Sequence, residues 1–238
     1  MSQYENGNMP VQAGEYGAVK SLNGYIAKVY GWMFLGLGLT ALTAFLFLTR
    51  MDWVIGFVKN PILFYGSMIG EFALVFAISR AIMRLSFPAA AALFGFYAIL
   101  NGLTLSVILL VYTGSSVATT FLITAAMFGA MSVYGRITRT DLTQFRGILM
   151  MGLIGVIVLS VLNLFLHSSA VEWIVTLVGM FVFLGLAAYD MQKLKSYYYS
   201  TQGDAVMQNK LGLLGALSLY LDFINLFLML LRLFGRKR

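Results

Sequence analysis

Seven stretches of this chain are apolar almost without interruption: Lys28–Thr49, Pro61–Ser79, Phe87–Tyr112, Val117–Tyr134, Gly147–Leu166, Ala170–Met191 and Leu211–Leu231. Each is near the roughly 20 residues that a helix needs to cross a bilayer. Membrane-spanning strands would instead alternate apolar and polar residues over about ten positions, and these runs do not. The pattern predicts an all-α integral membrane protein, a seven-transmembrane-helix bundle.

The last run carries a carboxylate where lipid would be least hospitable to one. At about 1.5 Å of rise per residue, Asp222 lies about 17 Å beyond Leu211, close to the bilayer centre. An ionised carboxylate there costs at least about 2.5 kcal/mol on insertion scales. Ser218 and Asn225 fall on the same helical face, so the stripe Ser218, Asp222, Asn225 is expected to face other helices, a partner charge or water, and to line a path.

Other polar positions interrupt the runs more sparingly. Glu71 follows Ser67 by one turn in the second run, beside Gly66-x-x-x-Gly70, a spacing that usually marks close helix packing. A carboxylate at that depth is a functional candidate by default; the plainer reading is a buried hydrogen-bond partner. Tyr97, Asn101 and Thr104 share a face of the third run, which interhelical hydrogen bonding explains. Ala125 and Gly129 in the fourth run read as packing positions. His167, beside Ser168 and Ser169, reads as a solvated loop residue. The sixth run closes with GLAAYDMQKLK, which sets Asp190 near its end with Lys193 at i+3 as a ready ion-pair partner.

Composition supports the membrane assignment and narrows the chemistry. Of 238 residues 60% are hydrophobic and 11% charged, well below the roughly 25% charged content of soluble domains, and mean hydropathy is +0.86. Residues 1–26 form the one long polar stretch and are expected to be a disordered cytoplasmic tail ahead of a transmembrane domain over residues 27–238; no cleavable signal is evident in them. The net charge of +7 comes from Lys and Arg in short connections, which membrane orientation explains without nucleic acid. Lys20, Lys28, Arg80, Arg84, Arg136, Arg139, Arg146, Lys193, Lys195 and Lys210 collect on one side, Arg50 and Lys59 on the other, which favours a cytoplasmic N-terminus. Arg232, Arg236, Lys237 and Arg238 break the rule: an odd number of crossings sets them outside, unless the last segment is re-entrant.

With no cysteine and a single histidine, neither a Ser/His/Asp triad, a Cys/His pair nor a Cys/His zinc site can be assembled, and no phosphate-binding glycine motif is present. No tightly bound cofactor and no enzymatic activity are expected. Carboxylates remain. Two of them close together in a low dielectric cannot both ionise cheaply, so they share a proton or are joined by a cation. Hard oxygen ligands suit Ca²⁺, and protons then compete with it for one site.

At these residues the chain resembles a known family. LYLDFINLF at Leu219–Phe227, AAYD ending at Asp190, VYGWM at Val29–Met33, GLTLS at Gly102–Ser106 and MFGAMSVYG at Met127–Gly135 look like the Bax inhibitor-1 family, in particular its bacterial inner-membrane members. The resemblance runs from about Ala27 to the C-terminus. It implies a bundle with the last helix at its centre and a pH-sensitive Ca²⁺ leak through the cytoplasmic membrane. By motif, Asp190 and Asp222 correspond to the family's paired aspartates, which act as pH sensor, gate and cation ligands. Glu71 matches a pore-lining glutamate. An arginine near the end of the second helix acts as a latch, a place shared here by Arg80 and Arg84.

One geometric difficulty accompanies that assignment. Asp222 lies mid-run and Asp190 near a run's end, so the two meet only if the last helix starts late, near Gly215, or a vestibule cuts deep. The segment Ser196–Gln208 between them reads as a long, tyrosine-rich loop. Three other functions use the same features. An intramembrane aspartyl protease also pairs two aspartates, but its Gly-x-Gly-Asp is replaced here by Leu219-Tyr220-Leu221-Asp222, and no proline follows Asp222. A membrane interaction protein, modulating a membrane protease or a stress response, would need the carboxylates only as structure. A coupled H⁺/Ca²⁺ exchanger would use them as a leak does.

Overall fold

The computed structural model describes residues 9–238, with side chains from residue 21 onward. Eight helices follow in order: α1 (Met9–Leu48), α2 (Met51–Lys59), α3 (Pro61–Ala81), α4 (Phe87–Leu109), α5 (Gly114–Ile137), α6 (Arg146–Leu166), α7 (Ser169–Ser200) and α8 (Ala205–Phe234), with a single 3₁₀ turn at Leu142–Phe145. Seven are long and apolar enough to span a membrane. The short, amphipathic α2 was not expected; it packs the exposed end of α1 against α3 through the rings of Phe47, Phe57 and Phe64.

Helix starts follow local chemistry. The Asn60 side chain accepts hydrogen bonds from the Ile62 and Leu63 amides ahead of α3, where Pro61 needs no donor partner. Ser86, Ser168 and Asp204 cap α4, α7 and α8 in the same way. At the end of α6, His167 is exposed and takes the left-handed conformation (φ 49°) that terminates a helix, in keeping with its reading as a solvated residue.

The expected tail over residues 1–26 lies partly outside the described residues, and the chain is assigned to α1 from Met9. The expected loop over residues 196–208 is mostly helix. Helix α7 runs to Ser200 and α8 begins at Ala205, leaving a turn through Gly203 at φ 91°. The late start near Gly215 is therefore wrong: both helices extend beyond their apolar runs, because the runs mark only the part that lipid requires to be apolar.

Burial singles out α8. In its most apolar stretch 72% of residues are buried, against 6% to 39% in the other spans, so the last helix is the axis of the bundle. It packs against α7, α1, α5 and α4. Around it α1 meets α4 closely: a Cβ on Gly102 would come within 2.7 Å of the Thr40 carbonyl oxygen. A Cβ on Gly135 would strike the Ala188 carbonyl of α7. At these two glycines it is backbone that a Cβ would meet. Gly66 and Gly129 meet nothing within 4 Å and Ala125 is exposed, which corrects the packing roles expected of them.

Helix α8 is unbroken and crosses the whole bundle, so the last span is not re-entrant. The C-terminal segment ends on the face opposite the start of α1, where the Thr113 amide donates to the Arg236 carbonyl (3.0 Å) and the Arg238 amide donates to Val111 (2.9 Å).

Candidate functional site

Helix α3 packs chiefly on α4 and α2 and stands away from α6, α7 and α8. The space between is a cavity of about 740 Å³. Its lining runs from Arg146 and Lys193 on one face to Phe64, Ile108 and Arg232 on the other, a span comparable to the membrane itself. The polar stripe Ser218, Asp222, Asn225 faces into it, as do Glu71 and Asp190. The five residues come from three helices, and the fold brings them to one cavity.

The two aspartates meet through the antiparallel register of α7 and α8. Leu194 lies against Gly215, and Gly179 against Met229. This register sets Asp190 at the level of Ser218, and both line the cavity. Asp222 is then one helical turn deeper, about 6 Å along the axis. The depth difficulty dissolves because α7 continues beyond Asp190 and turns back only at residue 201, and because the cavity reaches past Asp222.

The partners of the pair are few. Lys193 Nζ lies 3.7 Å from Asp190 Oδ1, the i+3 pairing foreseen from sequence, and its ammonium sits between the rings of Tyr189 and Tyr197 at 5.9 and 5.5 Å. Asp222 is 5% exposed, and its Oδ2 is buried with no hydrogen-bond partner. A buried carboxylate oxygen left bare is costly unless it carries a proton or meets a cation. With Asp190 and Ser218 a turn away, the donor set is all oxygen, which suits a hard cation such as Ca²⁺. No cluster of three or more Asp, Glu, His or Cys occurs among the described residues, so any cation here completes its shell with water.

Glu71 is satisfied differently. Thr104 Oγ1 donates to its Oε1 (2.7 Å) and Asn101 Nδ2 donates to its Oε2 (3.2 Å). The chain of contacts continues inward: the Tyr220 hydroxyl donates to Asn101 Oδ1 (3.0 Å) and lies 2.6 Å from Thr40 Oγ1, which donates to the Ala98 carbonyl (2.8 Å). Four helices, α3, α4, α8 and α1, are tied at one level. Tyr220 and Asp222 are two positions apart and so point to nearly opposite sides of α8, one into this network and one toward the cavity.

Sequence reading found Glu71, Asn101 and Thr104 but not Tyr220 or Thr40. Tyr220 stands within the LYLDF motif but off the polar stripe, and Thr40 is a small hydroxyl in an apolar run, so neither gave a signal. The structure does not bring the two latch candidates to the pair. Arg80 and Arg84 are exposed, Arg80 lying over the Phe76 ring at 5.1 Å, and neither lines the cavity. Among the described residues the cation paired with Asp190 is Lys193. The other cations on the cavity wall are Arg146 and Arg232.

Compared with known families, residues 22–238 match the one described as Inhibitor of apoptosis-promoting Bax1. The inner membrane protein YbhL of Escherichia coli (strain K12) is 47% identical over 218 residues, covering 91% of this chain and 93% of its own. An uncharacterized protein of Borreliella burgdorferi is 41% identical over 216 residues, 91% of this chain and 93% of that one. Uncharacterized protein RP147 of Rickettsia prowazekii is 42% identical over 230 residues and 92% of each chain.

Proposed function

The chain belongs to the Bax inhibitor-1 family, and we propose that it acts there as a pH-sensitive Ca²⁺ leak of the bacterial inner membrane, its N-terminus cytoplasmic, gated by Asp190 and Asp222. The observation that carries this reading is the bare, buried Oδ2 of Asp222, on the wall of a cavity that is apolar for the most part and holds a second carboxylate about one turn away.

In this mechanism Asp190 and Asp222 hold either a proton or a cation. Protons compete with Ca²⁺, so its affinity for the pair falls as pH falls. Lys193 is the tethered competitor: its ammonium neutralises Asp190 when no cation is present, and its half-exposed position leaves it free to swing aside. Glu71, fixed by Thr104 and Asn101, lines the opposite wall of the path, and Ser218 and Asn225 supply neutral oxygen along α8.

The test is Ca²⁺ flux into liposomes holding the purified protein, from mildly acidic to mildly alkaline pH, for wild type and Asp222→Asn. A pH-dependent flux that loses its pH dependence in Asp222→Asn is expected. Flux indistinguishable from empty liposomes at every pH would overturn the leak and leave a membrane interaction protein, for which a membrane protease is the partner to seek. Uphill Ca²⁺ movement driven by a pH gradient alone would replace the leak by H⁺/Ca²⁺ exchange.

A further inference from the structure

The basic C-terminal residues are the part of the sequence that membrane orientation does not explain. Among the described residues nine cations collect toward the face where α1 begins, yet Arg236, Lys237 and Arg238 lie on the other. Their position is built, not frayed. Arg236 and Arg238 are pinned to the α4–α5 connection by the backbone bonds to Thr113 and Val111, Lys237 pairs with Tyr112, and the Arg236 amide donates to Ser116 Oγ (2.8 Å). All three side chains are exposed. None takes part in an ion pair among the described residues.

Directly beneath this segment lies a second cavity. Helix α1 packs on α4 and α8, while α5 packs on α7 and α8, so a cleft is left between α1 and α5. It encloses about 290 Å³ and is apolar, lined from Arg238 at one end to Leu37 at the other. Its floor is Phe223 and Phe227 of α8, packed against Phe121 of α5 with ring centroids 5.3 and 6.2 Å apart. Phe45 and Phe121, at its sides, are 66% and 43% exposed, so the cleft opens sideways toward lipid.

An apolar slot parallel to the helices, ending at Arg238 with Arg236 and Lys237 beside it on the same pinned backbone segment, matches the polarity of one molecule class. We propose that this cleft binds an anionic phospholipid of the surrounding bilayer, one acyl chain lying between α1 and α5 and the phosphate held by Arg236, Lys237 and Arg238. Basic pockets between membrane helices bind acidic lipid headgroups by this combination. The chain supplies the affinity that a free phosphate lacks, since each buried methylene contributes. The cations select the headgroup.

The experiment is native mass spectrometry of the full chain in detergent with equal amounts of phosphatidylglycerol and phosphatidylcholine of the same acyl length. Wild type is expected to retain phosphatidylglycerol preferentially. Each cation contributes about fivefold to that preference, and the triple variant R236Q/K237Q/R238Q, whose backbone pins are untouched, is expected to lose it. Ala41→Trp, on the exposed wall of the slot, is expected to reduce retention of both lipids. Equal retention of the two lipids by wild type would overturn the proposal. So would an unchanged preference in the triple variant, or unchanged retention in Ala41→Trp. Displacement of phosphatidylglycerol by equimolar glycerophosphate would show a free-anion site instead. Melting temperatures of the variants, expected to match wild type without added lipid, confirm that the folded protein is what is compared.

Discussion

Glu71 and the Asp190–Asp222 pair face one cavity from opposite walls, and they are built in opposite ways. Glu71 accepts two side-chain hydrogen bonds from α4 and is the outer end of a network that ties four helices together. Asp222 has an oxygen with no partner at all, and Asp190 is paired with a lysine half open to solvent. A carboxylate whose oxygens are already engaged is held in place, and its network is part of the packing. A carboxylate left bare can be completed by whatever small positive species arrives. Under the proposed function, this contrast gives structure and lining to one wall and exchange to the other.

The comparison breaks most visibly at the pair. Asp190→Asn should remove the pH dependence of Ca²⁺ flux as Asp222→Asn does, and the double variant should add little, because groups that titrate together are not additive. Glu71→Gln should keep the pH dependence and change only the size of the flux. A Glu71→Gln protein with a flat pH profile would reverse the assignment of the two walls.

A smaller effect sharpens the exchange reading. Replacing Lys193 by Met removes the tethered cation and should tighten Ca²⁺ binding to the pair by about two- to fivefold, the range set by a partly exposed ion pair. Isothermal titration of the purified protein measures it, and weaker binding would mean that Lys193 helps to hold the cation site open.

The structural wall predicts a change of stability. Tyr220→Phe removes the hydroxyl that joins Asn101 to Thr40 and should lower stability by about 1 kcal/mol, the scale of interhelical hydrogen bonds in membranes, with the pH profile of flux retained. A thermal melt in detergent reads it. The smallest effect belongs to the arginines near the end of α3: Arg80→Gln and Arg84→Gln should each leave flux unchanged and stability within about 0.5 kcal/mol, as exposed substitutions do. A lost pH response in either would restore an arginine latch in place of Lys193.

Much of the fold was legible because lipid makes a simple demand. A segment that crosses hydrocarbon must be apolar and must satisfy its own backbone, so each span left a visible run, and the same rule made Glu71 and Asp222 conspicuous. The short α2, half apolar and too brief to cross, gave no such signal. The late start expected for α8 and the loop expected over residues 196–208 failed for a related reason: hydropathy marks where lipid is, not where a helix stops. Arg80 and Arg84 are candidates because they lie where the family resemblance implies an arginine, and a place along the chain says nothing of which way a side chain turns.

The sequence by itself determined the seven apolar spans, the membrane environment, the lack of any cysteine and hence of a thiol or Cys/His zinc site, and the presence of costly carboxylates on α3, α7 and α8. These follow from single-residue transfer energies, which need no neighbours to be specified. Only the tertiary structure decided that Asp190 and Asp222 meet, that Lys193 is the cation beside them, and that Tyr220 and Thr40 lock Glu71 to the core. It alone decided that the basic C-terminus sits over an open apolar cleft. Those facts depend on the register of α7 against α8, the gaps between α3 and α6 and between α1 and α5, and the direction of each side chain around its helix. Such relations arise when faces pack together, and no one-dimensional pattern contains them.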